Sequence, residues 1–394
     1  MRVTSMLPNV QYELQQSQQN LSTALQQVST GLRVNQLSDD PTASANMVRS
    51  LAASSAVDRY TSTGNTVLST LQSADSALSS VVTSLNSALS LGTQGANGTM
   101  NSADRTGVAT QIQAVLSNVV AQANTSFQGS YVFAGTASTT PPFVQASSSY
   151  TSSATTLSAA TPLTAGASTT LSDAQTGQSF TFKAAAGDTV ATLTQAVAGA
   201  VAAGTLSAGT SVSTSASGGL AIASTTGVVA TSTDAALGSL SATPGTSIPT
   251  AYAYVGNNGT NTVAVGDNLT VAGNLSGSQV FTSGANVIQS LGNLITALQS
   301  GTSAQIGTAA QSINTALNFV SQQRIPLGNS ISQINSQETY LAQDTVTLTA
   351  QQNALVGVNL AEAATNLSQA ELNNSAMLAA AAKVVPQTLL DYLK

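Results

Sequence analysis

The chain has 394 residues, a charged fraction of only 6 % and a formal net charge of −6. An average globular protein is roughly 25 % charged; here the nine basic residues are scattered and leave no electrostatic footprint for nucleic acid or an anionic membrane surface. Cys, His and Trp are absent, so the usual zinc, haem and iron–sulfur sites, a disulfide framework and His-dependent nucleophilic catalysis have no residues to build them.

Residues 5–32 read as an amphipathic helix, with Leu14, Leu21, Leu25, Val28 and Leu32 on one face and Gln, Ser and Asn opposite. Within it Leu7, Leu14, Leu21 and Val28 recur every seven residues, and Gly31 marks the end. Ser38-Asp39-Asp40-Pro41 is a start signal: a Ser or Asp cap, then Pro at the first helical position, where its missing N–H costs nothing. The next segment, about 41–91, is rich in Ala, Ser and Leu and poor in breakers. As one helix it would run on the order of 75 Å, longer than a small domain needs. Gly92–Gly98 is a turn cluster, and 102–126 is a further helix capped by Ser102 with Asp104 in its first turn.

The pattern changes at Phe127. Tyr131–Phe133 reads as a short strand, and Pro141-Pro142-Phe143 breaks regular structure. Residues 138–284 are rich in Ser, Thr, Ala and Gly, with four acids and one base. Phe180–Lys183 alternates as a strand, Thr189–Ala203 has helical spacing, and Ser211–Ser215 and Leu220–Ser224 are strands around Gly218-Gly219, giving a small β-α-β-β unit. Residues 252–281 alternate again, with Asn-Gly turns, and predict antiparallel hairpins. Asn257-Asn258-Gly259 and Gly266-Asp267-Asn268 lack the acidic repeat of a calcium loop and read as turns.

Helix resumes over 285–300 and 303–323, and Pro326 within Arg324–Gly328 bends or restarts it. A long helix is expected over 327–372, with Ile334, Leu341, Leu348 and Leu355 again seven apart, and then an Ala-rich stretch over 374–391. The longest apolar run, near Met377–Val385, is interrupted by Lys383 and falls short of the about 20 residues a membrane span needs. The first 30 residues lack the apolar core of a cleavable signal, so secretion would need another route.

The expected fold class is α+β: a long antiparallel coiled-coil bundle formed by both chain ends, with a β-rich insertion between. The expected division is 1–42 with 352–394 as terminal helices, 43–137 with 285–351 as a helical rod, and 138–284 as an outer insertion. Neither apolar stripe buries itself alone. The outermost ones lack a second helical layer and need other subunits. This is the pattern of a building block. Asp39-Asp40 serves better as a cap than as an acid/base pair, and a carboxylate-only glycosidase is the enzyme class that composition alone leaves open.

Ser29-Thr30-Gly31-Leu32-Arg33-Val34-Asn35 with Ser38-Asp39-Asp40-Pro41 just beyond resembles the N-terminal signature of the flagellin family. The Asp-Asp-Pro form and the opening Met1-Arg2-Val3-Thr4 are similar to its hook–filament junction members rather than to the main filament protein. Further resemblance lies in Ala96–Met100 with Asp104-Arg105, in Ala123–Thr136 with Pro142-Phe143, in Tyr254–Gly256 through Gly277–Phe281, and in Leu360–Gln369 with the ending Leu389–Leu393. Residues 171–226 resemble an insertion motif of flagellins and hook-associated proteins. The likeness covers roughly 1–143 and 252–394.

The resemblance implies an extracellular structural adaptor without chemistry or cofactor, forming a ring at the hook–filament junction on which flagellin polymerises. A minor flagellin is the alternative. A type III-secreted translocator or adhesin is less favoured, since the helices lack a Lys/Arg-rich polar face. Implied partners are copies of itself, an adjoining hook-associated protein, flagellin and an export chaperone on the C-terminal helix, with neither nucleic acid nor membrane. Export would be unfolded, through the flagellar type III apparatus, with terminal segments disordered in the monomer. Leu7, Leu14, Leu21 and Val28 would face Ile334, Leu341, Leu348 and Leu355 or neighbouring subunits. Leu367, Met377, Leu378, Val384, Leu389 and Leu390 would contact the chaperone or the axial wall. No catalytic, cofactor or metal residue is expected.

Overall fold

The computed structural model describes residues 6–36, 38–215 and 218–390, with side chains described from 9 to 382 within those ranges. In chain order the elements are α1 (Met6–Thr30), α2 (Pro41–Gly95), α3 (Ser102–Ala123), β1 (Ser126–Phe127), β2 (Ser130–Tyr131), β3 (Phe143–Ser152), β4 (Ser168–Asp173), β5 (Ser179–Lys183), α4 (Val190–Ala202), β6 (Ser211–Thr214) and β7 (Leu220–Ser232). They continue with β8 (Leu240–Ala242), β9 (Ser247–Tyr254), β10 (Thr262–Ala264), β11 (Thr270–Ala272), α5 (Gly277–Phe281), α6 (Val287–Ser300), α7 (Ser303–Val356) and α8 (Leu360–Leu390). The fold is α+β, with helical ends and a central antiparallel sheet. Two compact units form, residues 63–336 and the chain ends 1–62 with 337–394.

The helical core of the 63–336 unit is a set of seven-residue ladders. Leu71, Leu78 and Leu85 of α2 and Ile306, Ile313, Val320, Leu327 and Ile334 of α7 join Ile112 and Leu116 of α3 and Leu291 and Leu298 of α6 in one buried cluster. Full burial of each such side chain stabilises by about 1.5–3 kcal/mol. The ladder recognised in sequence from Ile334 onward therefore begins at Ile306. Gly92 keeps the next heptad position of α2 empty: a Cβ there would lie 3.2 Å from the Ala310 Cβ.

Two helix boundaries differ from expectation. The cap of α3 is Asn101, not Ser102: the extended Asn101 accepts from the Asp104 N–H at 2.8 Å, and Ser102 becomes the first helical residue. Pro326 does not break α7. Proline removes one backbone bond, but its neighbours anchor the helix. Arg324 donates to Asp75 of α2 through two prongs, at 2.8 and 2.9 Å, and this hydrogen bonding raises the guanidinium pKa further. Leu327 is fully buried alongside.

The sheet runs β5-β4-β7-β3-β8, with β6 also on β7 and β9 also on β3, all antiparallel. The expected β5-α4-β6-β7 order is present, with Thr189 capping α4. Leu171, Leu193, Leu220 and Ile222 share its core. β7 continues well past Ser224, because Gly227 at φ +97° carries the chain through an irregular register against β3. Within 252–281, β10 and β11 form a hairpin, but β9 pairs with β3 and Gly277–Phe281 is a short helix rather than a strand. Sheet and helices meet at an aromatic hub: Phe133, Phe143 and Phe281 pack edge-on at 5.4–5.5 Å, and Tyr254 lies 5.3 Å from Phe143. Tyr254 Oη donates to the Asn257 carbonyl at 2.7 Å, and burial pushes its pKa up.

Candidate assembly surface

The unit made by the chain ends is built around two coincident breaks. α1 stops at Gly31, whose φ of +71° is the left-handed C-terminal turn that glycine permits. α7 stops at Val356, and Asn359 restarts α8 by accepting from the Ala361 N–H. The breaks lie side by side. Leu32 and Gly357 form an antiparallel bridge, the Arg33 N–H donates to the Val356 carbonyl at 2.6 Å, and the Val358 N–H donates to the Gly31 carbonyl at 3.0 Å. Val34, Ala43 and Val356 are buried there against Met47 and Leu355.

The acidic pair Asp39-Asp40 divides its work at this joint. Asp39 Oδ2 accepts from the Asn35 and Gln36 N–H groups and closes the loop. Asp40 Oδ1 accepts from the Ala43 N–H at 2.9 Å, so Asp40 is the cap of α2 and Pro41 its first residue, as expected. The Ala43 N–H, with Arg33 adding to it, holds the Asp40 carboxyl below its usual range. Arg33 Nη2 donates both to Asp40 Oδ2 at 3.3 Å and to the Leu355 carbonyl at 3.0 Å. The latter is one of the last carbonyls of α7, which the helix itself leaves unpaired.

Beyond the joint α1 packs on α8. Their seam is thinly apolar. Ala24 and Ala363 are the buried hydrophobic residues of these two helices among the described residues. Leu14, Leu21, Val28, Leu367 and Met377 are only half-buried, and Leu378 is exposed. A groove of about 680 Å³ runs between them, lined largely by Gln16, Asn20, Gln27, Asn366, Gln369 and Asn373.

Among the described residues, the second heptad ladder packs on partners other than α1. Ile334 lies in the core of the 63–336 unit. Leu341 and Leu348 pack with Val57 and Tyr60 of α2, and Leu355 packs at the joint. The reason is the unbroken α7: its stripe is already occupied by α2, and α1 packs on α8, beyond the second break. The side chains of Leu7, Val384, Leu389 and Leu390 lie outside the described residues. In the sequence Arg33 stands within a recognisable motif but carries no evident role, and the single helix expected over 327–372 is in fact divided at 357–359. The signal of that division is a Gly two positions before a capping Asn.

The exposed large hydrophobic residues are distributed unevenly. Tyr12, Leu25, Val48, Leu51, Tyr340 and Val346, with four more, lie in the unit of the chain ends; among the described residues the 63–336 unit contributes only Ile325. No helix among the described residues is long and apolar enough to cross a membrane.

Residues 4–138 match the bacterial flagellin N-terminal helical region, and residues 310–393 match the bacterial flagellin C-terminal helical region. Together these regions span more than half of the chain. The chain belongs to the flagellin family. It is 33 % identical over 126 residues to flagellar hook-associated protein 3 of Escherichia coli (strain K12). To that of Salmonella typhimurium it is 32 % identical over the same length. Each match covers 32 % of this chain and spans 40 % of the length of the relative. A solved Vibrio parahaemolyticus structure described as a flagellar hook-associated protein superposes with a TM-score of 0.51, at 16 % identity, over 81 % of this chain and 100 % of that one. That is a likeness of fold.

Proposed function

We propose that this flagellin-family chain is a non-enzymatic adaptor of the bacterial flagellum. It forms a ring of copies, outside the cell, between an adjoining hook-associated protein and the flagellin above. The observation that carries this reading is the concentration of solvent-facing Tyr, Leu and Val on the helices of the chain ends, beside a seam too poorly buried to hold α1 and α8 by itself. Such faces are completed by neighbouring copies, and assembly is the function. Similarity to hook-associated protein 3 supports the junction over the filament. Before assembly, α1 and α8 would be loosely held, and the half-buried Leu367 and Met377 with the exposed Leu378 would offer an export chaperone its contact. Leu7, Val384, Leu389 and Leu390 are proposed as further contacts.

A deletion strain viewed by electron microscopy tests the reading. Retained hooks without filaments are expected, with filaments restored by the gene in trans. Ready growth of the purified protein into long filaments would instead make it a minor flagellin.

A further inference from the structure

We infer that Arg33 is a latch that keeps the joint of the two breaks closed in the free chain, so that order extends outward to residues 31 and 359 whatever polymer the chain later joins. Three observations combine. The breaks coincide and exchange two backbone hydrogen bonds, Arg33 to Val356 and Val358 to Gly31. One guanidinium nitrogen of Arg33 then spans the α2 cap, Asp40, and the end of α7, Leu355. Beneath it Val34, Ala43 and Val356 are buried, whereas α1 and α8 beyond it bury only Ala24 and Ala363 fully among the described residues.

The physical logic is closure. A helix C-terminus carries partial negative charge and unpaired carbonyls, and a cation placed on it is favourable. The cap carboxylate of α2 adds a full negative charge on the other side. Arg33 sits between these two negative ends, and its bond to the Leu355 carbonyl joins residues 322 apart in sequence. Without it Asp40 still caps α2, but nothing charged ties that cap to α7. Both bonds come from the single Nη2 nitrogen, so a lysine ammonium, more strongly hydrated and on a shorter stem, keeps the charge and part of the bridging. Arg33 is thus a positioning residue for the joint. The loosely held ends begin at α1 and α8 themselves, not at residues 42 and 352 as the sequence division has it.

Hydrogen exchange on the purified, unassembled full-length chain tests this, read by mass spectrometry of peptides covering 31–47 and 350–363. In the unaltered protein these peptides should exchange at least about tenfold more slowly than those of α1 and α8 beyond them. Arg33→Ala should remove that protection and leave peptides around Leu116 and Leu220 unchanged. Arg33→Lys should restore part of it. Asp40→Asn added to Arg33→Ala should cost less protection than Asp40→Asn alone, because the pair acts as one unit. A joint that exchanges as fast as the ends in the unaltered chain overturns the proposal. So does protection that survives Arg33→Ala, or a loss shared equally by the core peptides.

Discussion

The two units use similar helices to opposite ends. In residues 63–336 the apolar stripes of α2, α3, α6 and α7 are matched to one another, and their Leu and Ile side chains join one buried cluster. In the chain ends the same α2 and α7 continue, yet Tyr340, Val346, Val48 and Leu51 face water, and α1 meets α8 across amides. Helix formation is common to both; satisfaction of the apolar surface is not. On the proposed function, self-sufficient folding belongs to one unit and dependence on neighbouring copies to the other.

The largest expected effect separates them outright. Deleting the ends to leave residues 41–356 should abolish incorporation into flagella, scored by motility and microscopy, while the main thermal transition persists; loss of that transition would show the core to depend on the ends. Next come single truncations. Phe281→Ala, at the centre of the aromatic hub, should cost about 3–5 kcal/mol in denaturant unfolding. Leu21→Ala on the half-buried face of α1 should cost less than about 1 kcal/mol. Equal costs would erase the contrast. A third pair of measurements dissociates stability from assembly. Val346→Ser, at a position 70 % exposed, should leave monomer stability within about 0.5 kcal/mol, yet reduce filament number.

The smallest effect is electrostatic. The folded Asp40 carboxyl titrates below its ordinary 3.8. Its contribution to the joint is therefore present above that value and lost as pH falls through the depressed one. Arg33 and Asp39 flank it on the same loop, and Arg49 lies further along α2. Exchange at the joint should accelerate only below about pH 4, and Asp40→Asn should flatten that acid limb while core peptides stay unaffected.

Much of this contrast is legible in the sequence where residues carry strong signals. Pro41 after two acids places the start of α2, Gly31 the end of α1, and Gly218-Gly219 the turn from β6 to β7. The failures are equally physical. Phe143–Ser152 and Ser168–Asp173 are strands without a readable period, because Ser, Thr and Ala differ little in hydropathy and inward positions include Ser147 and Ser172. Pro326 is overruled by its anchored neighbours, a tertiary effect that local propensity does not see. The ladder is recognisable only from Ile334 because Ala- and Gln-rich turns dilute it upstream. Which helix each ladder faces depends on the breaks, and seven-residue spacing does not report partners.

The coincidence of the two breaks also constrains how the gene can change length. One residue added between Val356 and Leu360 displaces the start of α8 from the backbone pairs that tie the two breaks together. The side chains that α8 offers α1 would be displaced with it, unless the 31–40 loop changed in compensation. Surface turns of the sheet, such as Gly245 with open space around it, bear no such linkage. Insertions and deletions among related chains should accordingly collect in the sheet and shun both breaks, or occur at the two together.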